Sequence, residues 1–114
     1  LNAPYIPDLG DIVSIDFNPQ VGREQAKRRP ALVLSPASYN QLSSLVIVCP
    51  ITSQKTRNNF LVLLSPRMQT IGCVLSDQVK SLEWRVRQAS FIEKADDEIV
   101  EDVLAKLAAL LGLS

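Results

Sequence analysis

The chain has 114 residues, with twelve basic and twelve acidic side chains and a formal net charge of zero. That length, with 46% hydrophobic and 21% charged content, fits a single globular domain over 1–114, and no apolar run approaches the roughly 20 residues of a membrane-spanning helix. Histidine is absent, which excludes His-ligated metals, His-dependent nucleophile triads and any histidine acid–base pair.

The N-terminal "LNAPYIPDLGD" has no basic segment leading into an apolar one, so it does not read as a signal peptide; Pro4 and Pro7 bracket it as an arm. In "DIVSIDF", Val13, Ile15 and Phe17 alternate with Ser14 and Asp16, the period of a half-buried strand. Asn18-Pro19 ends it, and a polar loop follows to residue 28. "PALVLS" is a continuous apolar run, expected as a strand buried on both faces. Ser35-Pro36 is placed to cap and start a helical turn through Gln41. "LVIVCPI", Leu45 to Ile51, is the next strand, and its Pro50 argues for an edge or a bulge near its end. "TSQKTRNN" is a second polar loop. "FLVLLS" is another strand, "GCVLS" and "QVKSL" are one interrupted strand or two short ones, and "RQASFIE" is the last. Cys49 and Cys73 lie inside apolar runs without a CxxC pair. They read as buried structural thiols rather than zinc ligands, and suit a reducing cytoplasm.

From Asp96 the period changes. Ile99, Val100, Val103, Leu104, Leu107, Leu110 and Leu111 recur at three- and four-residue steps, which predicts an amphipathic helix. Asp96 is its expected cap, Asp97 and Glu98 suit its positive end, Lys106 lies towards the other end, and Gly112 suits its stop. Five or six short strands and one packing helix, without strand–helix alternation, predict a mainly β fold: a small curled antiparallel sheet or open barrel.

Charge is not spread evenly along this frame. "GREQAKRRPALVLSP" carries Arg23, Lys27, Arg28 and Arg29 against Glu24 alone, a local net of +3 in a neutral chain. A connecting loop needs polarity and turn residues, not one concentrated sign, so this patch points to an anionic partner. The second loop adds Lys55 and Arg57 with no acid.

In order and spacing, "YIPDLGDIVSIDFNPQVGREQAKRRPALVLSP", "CPITSQ" and "LSDQVKSLEWR" resemble the MazF/PemK family of toxin endoribonucleases over residues 5 to 93. The resemblance implies a small SH3-like open barrel of the CcdB/PemK type with a C-terminal helix, working as a homodimer. It implies sequence-specific cleavage of single-stranded RNA, mainly messenger RNA, without metal or other cofactor. It also implies an antitoxin whose extended, acidic and apolar C-terminal segment covers the RNA groove. Carried over residue by residue, Arg29 and Thr52 stand at the catalytic pair, and Glu24 at a further position tied to activity in the first loop. Lys27, Arg28, Ser53, Gln54, Lys55, Arg57, Asp77, Gln78 and Lys80 form the expected RNA-binding set. Some branches carry an arginine where this chain has Leu75, so a mechanism using that arginine as acid is not open here.

The chemistry of these side chains agrees. Cutting RNA without metal needs the 2′-hydroxyl to attack the adjacent phosphorus, and a cation to neutralise the growing charge. Arg29 offers a planar, permanent charge at the start of a strand, beside the rigid Pro30. The Thr52 hydroxyl can bond a phosphate oxygen or the 2′-hydroxyl, and Glu24 is the nearest group in these loops to a general base. Each has a plainer role beside it. Arg29 also fits a surface strand edge, Thr52 a turn cap, and Glu24 an ion pair with Arg23 or Lys27. Asp77 and Gln78 also fit ordinary turn polar groups, although Gln can read a base edge. Trp84 suits a core or a dimer interface before a base-stacking platform. A non-enzymatic CcdB-like toxin that binds a protein such as DNA gyrase is the alternative function; the basic, Thr/Ser-bearing loops favour the ribonuclease.

Overall fold

The computed structural model describes residues 4–19, 22, 27–54 and 59–113. Along the chain come β1 (Asp11–Asp16), β2 (Arg28–Val33), α1 (Ala37–Ser43), β3 (Leu45–Thr52), β4 (Leu61–Leu63), β5 (Cys73–Leu75), β6 (Lys80–Glu83), β7 (Ser90–Lys94) and α2 (Asp97–Leu110). Neighbouring strands run antiparallel in the order β4-β5-β3-β2-β1-β7, with β6 also on β3. The end strands β4 and β7 do not pair with each other, so the sheet curls without closing, as an open barrel.

The apolar periods explain where each strand sits. Val13 and Ile15 of β1, and Phe17 just after it, face one cluster, with Ala31, Val33, Val46, Val48, Leu82 and Trp84. Ile12 turns the other way, joining Leu32, Cys49, Ile51 and Val74 beneath Ile99, Val103 and Leu107 of α2. The two central strands, β2 and β3, feed both clusters, which is why "PALVL" and "LVIVCPI" are apolar without alternation. Burying each such side chain stabilises by about 1.5–3 kcal/mol before the entropy of ordering it. The sequence expectation of Trp84 as a core residue holds: it is buried, and its Nε1–H donates to the Asn40 carbonyl at 2.8 Å.

Pro50 stands where its missing N–H predicts. Pairing of β3 with β6 ends at Val48 and pairing with β5 begins at Ile51, and residues 76–79 arch over the gap. The two helix starts differ from expectation. The Asp96 side chain makes no cap hydrogen bond; its carboxylate accepts from Arg67 Nη2 at 3.0 Å. The α1 helix starts at Ala37, whose N–H donates to Asp8 Oδ1 at 2.9 Å. The Ser35 hydroxyl lies against Asn40 and accepts from the Ile47 N–H instead. In both cases a partner distant in sequence displaces the local cap: Arg67 takes the Asp96 carboxylate, and Asp8 takes the Ala37 N–H. Lys106 stops short of the last turn of α2. Among the described residues no helix is long and apolar enough to cross a membrane.

Candidate active site

The β2–β3 ladder pairs Val33 with Val48, Leu32 with Cys49 and Ala31 with Pro50. The β2–β3 ladder ends at that last pair; its register, continued by two residues, sets Arg29 across from Thr52, which itself pairs with Cys73 of β5. Strand alternation gives them one face: Arg29 shares parity with Ala31 and Val33, Thr52 shares it with Val46 and Val48, and all four apolar residues belong to one cluster. Arg29 also pairs with Ile15 of that cluster. Directly opposed residues of an antiparallel pair have Cβ atoms about 4.5–5.5 Å apart. Arg29 and Thr52 thus lie at the same end of the β2–β3 pair, two residues past its last recorded rung.

Their settings differ. Arg29 is half-buried at the start of β2. Thr52 is 5% exposed at the end of β3, and its Oγ1 accepts from the Gln54 N–H at 3.2 Å. The turn-capping role of Thr52 is thus present, and it leaves the hydroxyl proton available for donation. Ser53 and Gln54 follow at the exposed mouth. Lys80 pairs with Val48, four residues before Thr52, or about 13 Å along the strand. Asp77 and Gln78 lie on the arch over β3, where the Gln78 N–H donates to the Leu75 carbonyl at 3.1 Å. Burial, and then the nearby Asp77 charge, push the Cys49 thiol up to about 12. Leu75 is buried beneath this arch.

The first loop divides its bases. Lys27 takes a left-handed φ of 63°, with its N–H on Asn18 Oδ1 at 2.9 Å and its carbonyl accepting from Phe17. Its side chain is exposed. The Arg28 guanidinium turns back onto the protein, donating to the carbonyls of Ser14, Arg87 and Gln88 and to Ser90 Oγ. Glu24, Lys55 and Arg57 lie outside the described residues. Trp84 and Arg85 line a separate cleft with Ile6 and Gln88. Trp84 follows β6, whose Glu83 pairs with Leu45, at the far end of β3 from Thr52.

Two features were not singled out from the sequence. Asp11 accepts from the Tyr5 hydroxyl at 2.5 Å, the Asp8 N–H at 3.0 Å and Lys94 Nζ at 2.9 Å, which ties the N-terminal arm to β7. Burial, then Asp11, raises the Tyr5 phenol well above its ordinary range. The other is Gly72, packed against Thr52 itself. A glycine before a short apolar run was its only sequence signal.

Known proteins share this fold and much of this sequence. The sequence pattern of PemK-like, MazF-like toxins of type II toxin–antitoxin systems matches residues 8–111. Endoribonuclease toxin MazF of Escherichia coli strain K12 is 41% identical over 108 residues, covering 95% of this chain and 96% of that protein. Endoribonuclease PemK of Escherichia coli is 29% identical, covering 91% of this chain and 81% of that protein. A crystal structure of MazF from Deinococcus radiodurans matches with a TM-score of 0.92 at 44% identity, over 96% of this chain and 99% of that one. A MazE–MazF structure from the same organism matches with a TM-score of 0.86 at 40% identity, over 97% and 100%. These relatives favour the ribonuclease reading over a gyrase-binding one. By the span of the matched pattern and the near full-length identity with a MazF, the chain belongs to the PemK-like, MazF-like toxins of type II toxin–antitoxin systems.

Proposed function

We propose that the protein is the toxin of a toxin–antitoxin pair and a sequence-specific endoribonuclease that cuts single-stranded messenger RNA in the cytoplasm without a metal ion. The observation that supports this most is the placement of Arg29 and Thr52 at the same end of β2 and β3, each two residues beyond the Ala31–Pro50 pair. In the reaction, the ribose 2′-oxygen bonds to the adjacent phosphorus while its proton goes to a base. The bond from phosphorus to the 5′-oxygen then breaks, and that oxygen leaves with a proton. The products are a 2′,3′-cyclic phosphate and a 5′-hydroxyl. Arg29 stabilises the charge on the pentacoordinate phosphorus with a two-pronged set of N–H donors. Thr52 donates its hydroxyl proton to a phosphate oxygen or orients the nucleophile. Glu24 of the first loop is the carboxylate proposed to take the proton.

RNA binding falls to Lys27, Ser53, Gln54, Lys55, Arg57, Asp77, Gln78 and Lys80, whereas Arg28 is engaged with the carbonyls of Ser14, Arg87 and Gln88, and the toxin works as a homodimer. The partner antitoxin competes for the same surface with an acidic and apolar C-terminal segment, its carboxylates meeting the basic loops. The test is incubation of the purified protein with a long single-stranded RNA, with and without chelator, followed by mapping of the cut ends. Cuts at one recurring sequence, ending in a cyclic phosphate and indifferent to chelator, are expected. Cleavage of a substrate with deoxyribose 5′ of the scissile phosphate would overturn the mechanism, because that substrate has lost its nucleophile.

A further inference from the structure

Gly72 precedes β5 with φ at 128°, a conformation that side chains of L-residues rarely adopt. A Cβ at this position would lie 2.1 Å from the Thr52 carbonyl oxygen, 2.8 Å from the Thr52 carbonyl carbon and 3.1 Å from Ser53 Cα. The closest of these is 0.9 Å inside the 3.0 Å limit that real Cβ contacts respect. All three are backbone atoms along the peptide leading out of Thr52, so no rotamer change relieves the overlap. Nor is Gly72 free to retreat. Its carbonyl accepts from the Leu64 N–H at 3.0 Å, beyond the end of β4, and the next residue, Cys73, pairs with Thr52 across the β3–β5 ladder. Any side chain at residue 72 must therefore displace the Thr52–Ser53 peptide.

We propose that Gly72 is a positioning residue for the cleavage site. By bringing the backbone before β5 directly against the Thr52–Ser53 peptide, it sets the height of the Thr52 hydroxyl relative to the Arg29 guanidinium. The same peptide leads to Gln54, whose N–H holds Thr52 Oγ1, so one displacement shifts both the hydroxyl and the hydrogen bond that orients it. The inference rests on the reading of Thr52 as a group that contacts the reacting RNA. Misplacement on the scale of an ångström is enough to cost about 100-fold in rate.

The experiment is a double-mutant cycle of Gly72→Ala and Thr52→Ala. Single-turnover cleavage is scored per folded molecule, from near-ultraviolet circular dichroism in the cold, so that a destabilised variant is still measurable. Affinity for an uncleavable RNA carrying deoxyribose at the cut is measured alongside. Gly72→Ala is expected to lower the cleavage rate by roughly 30- to 100-fold in the otherwise natural chain. It is expected to leave affinity for the deoxy RNA within about 3-fold, and to cost less than about 3-fold once Thr52 is already alanine. Equal losses in both backgrounds would mean that Gly72 acts on the fold at large, and would overturn the inference while leaving Thr52 in place. Full activity of Thr52→Ala alone would remove the reading of Thr52, and the inference with it.

Discussion

Arg28 and Arg29 are neighbours on β2, and strand alternation sends their side chains to opposite faces. Arg28 clamps the turn before β7 through carbonyl oxygens on two segments, whereas Arg29 faces the Thr52 side. Their substitutions should separate accordingly. Arg29→Ala is expected to leave the melting temperature nearly unchanged and to slow cleavage by about 100-fold or more, the scale of one lost transition-state donor. Arg29→Lys should recover only part of that, because an ammonium keeps the charge and loses the fork; a fully active lysine variant would reduce Arg29 to an RNA clamp. Arg28→Ala should instead destabilise the fold by about 1–2 kcal/mol in urea unfolding, from charge-assisted hydrogen bonds weakened by exposure. It should change the salt dependence of RNA binding little. A change in salt slope with unaltered stability would return Arg28 to the RNA surface. The cysteines give a second residue-scale check. With its thiol pushed up to about 12, Cys49 should resist alkylation at neutral pH while half-buried Cys73 reacts; mass spectrometry of the native protein finding Cys49 modified first would contradict this. In the sequence "KRRPALV" the two arginines look alike. Their difference is one of parity against Ala31 and Val33, and it becomes readable only when the clusters on either side of β2 are known.

Between elements, the open side of the barrel is bridged by side chains rather than by a ladder. Glu93 of β7 reaches the β4–β5 connection, where Oε1 accepts from the Gln69 N–H at 3.0 Å and Oε2 from the N–H and hydroxyl of Thr70 at 2.6 Å. Beside it, Arg67 of the same connection meets Asp96 at the start of α2. Burial alone raises the Glu93 carboxyl, but the three hydrogen bonds outweigh it, and the group ends below its ordinary 4.5. A depressed carboxylate contributes stability that is complete above its unfolded value and is lost as pH falls through its folded value. Glu93→Gln is therefore expected to lower the melting temperature at neutral pH and to flatten the fall below about pH 4.5, the two curves converging in acid. Asp8, lowered by the Ala37 and Leu9 N–H groups, keeps part of the acid sensitivity in both proteins. Parallel melting curves across that range would show that Glu93 carries none of it. Strand periods in the sequence were enough to locate most elements, because alternation and apolar runs report burial directly. The bridging contacts were not legible. Glu93 and Asp96 sit in a run of six acids against two bases that reads as a solvated helix face, and their partners lie more than twenty residues away along the chain.

At the scale of the whole molecule, α2 carries a wider apolar stripe than its own core uses. Ile99, Val103 and Leu107 are buried under the sheet, while Leu104 is 42% exposed and Leu111 67% exposed. These two continue into an apolar groove with Leu34, Ile47, Val79 and Leu113. Sequence period marks the whole stripe as one apolar face and goes no further, since 3.6-residue spacing cannot say how much of a helix face one sheet will cover. The groove has no charged lining, so an acidic antitoxin segment has no cation to meet there; its charge complement is the basic loops. A second copy of the chain is the occupant that fits, because it offers the same uncharged leucine surface, and contiguous exposed apolar area of this kind marks an interface. Light scattering at micromolar concentration should give twice the 12.6 kDa chain mass. Leu111→Glu, which places a charge in the groove at an already exposed position, should shift the protein towards monomer without lowering the melting temperature of the monomeric fold. Its effect on cleavage then tests the reach of the site. If one copy binds RNA unaided, the monomeric variant keeps its rate, and if the groove spans both copies, the rate falls in step with the dimer fraction. A natural chain that runs as a monomer would sink the assignment of this face, as would a Leu111→Glu protein that stays dimeric.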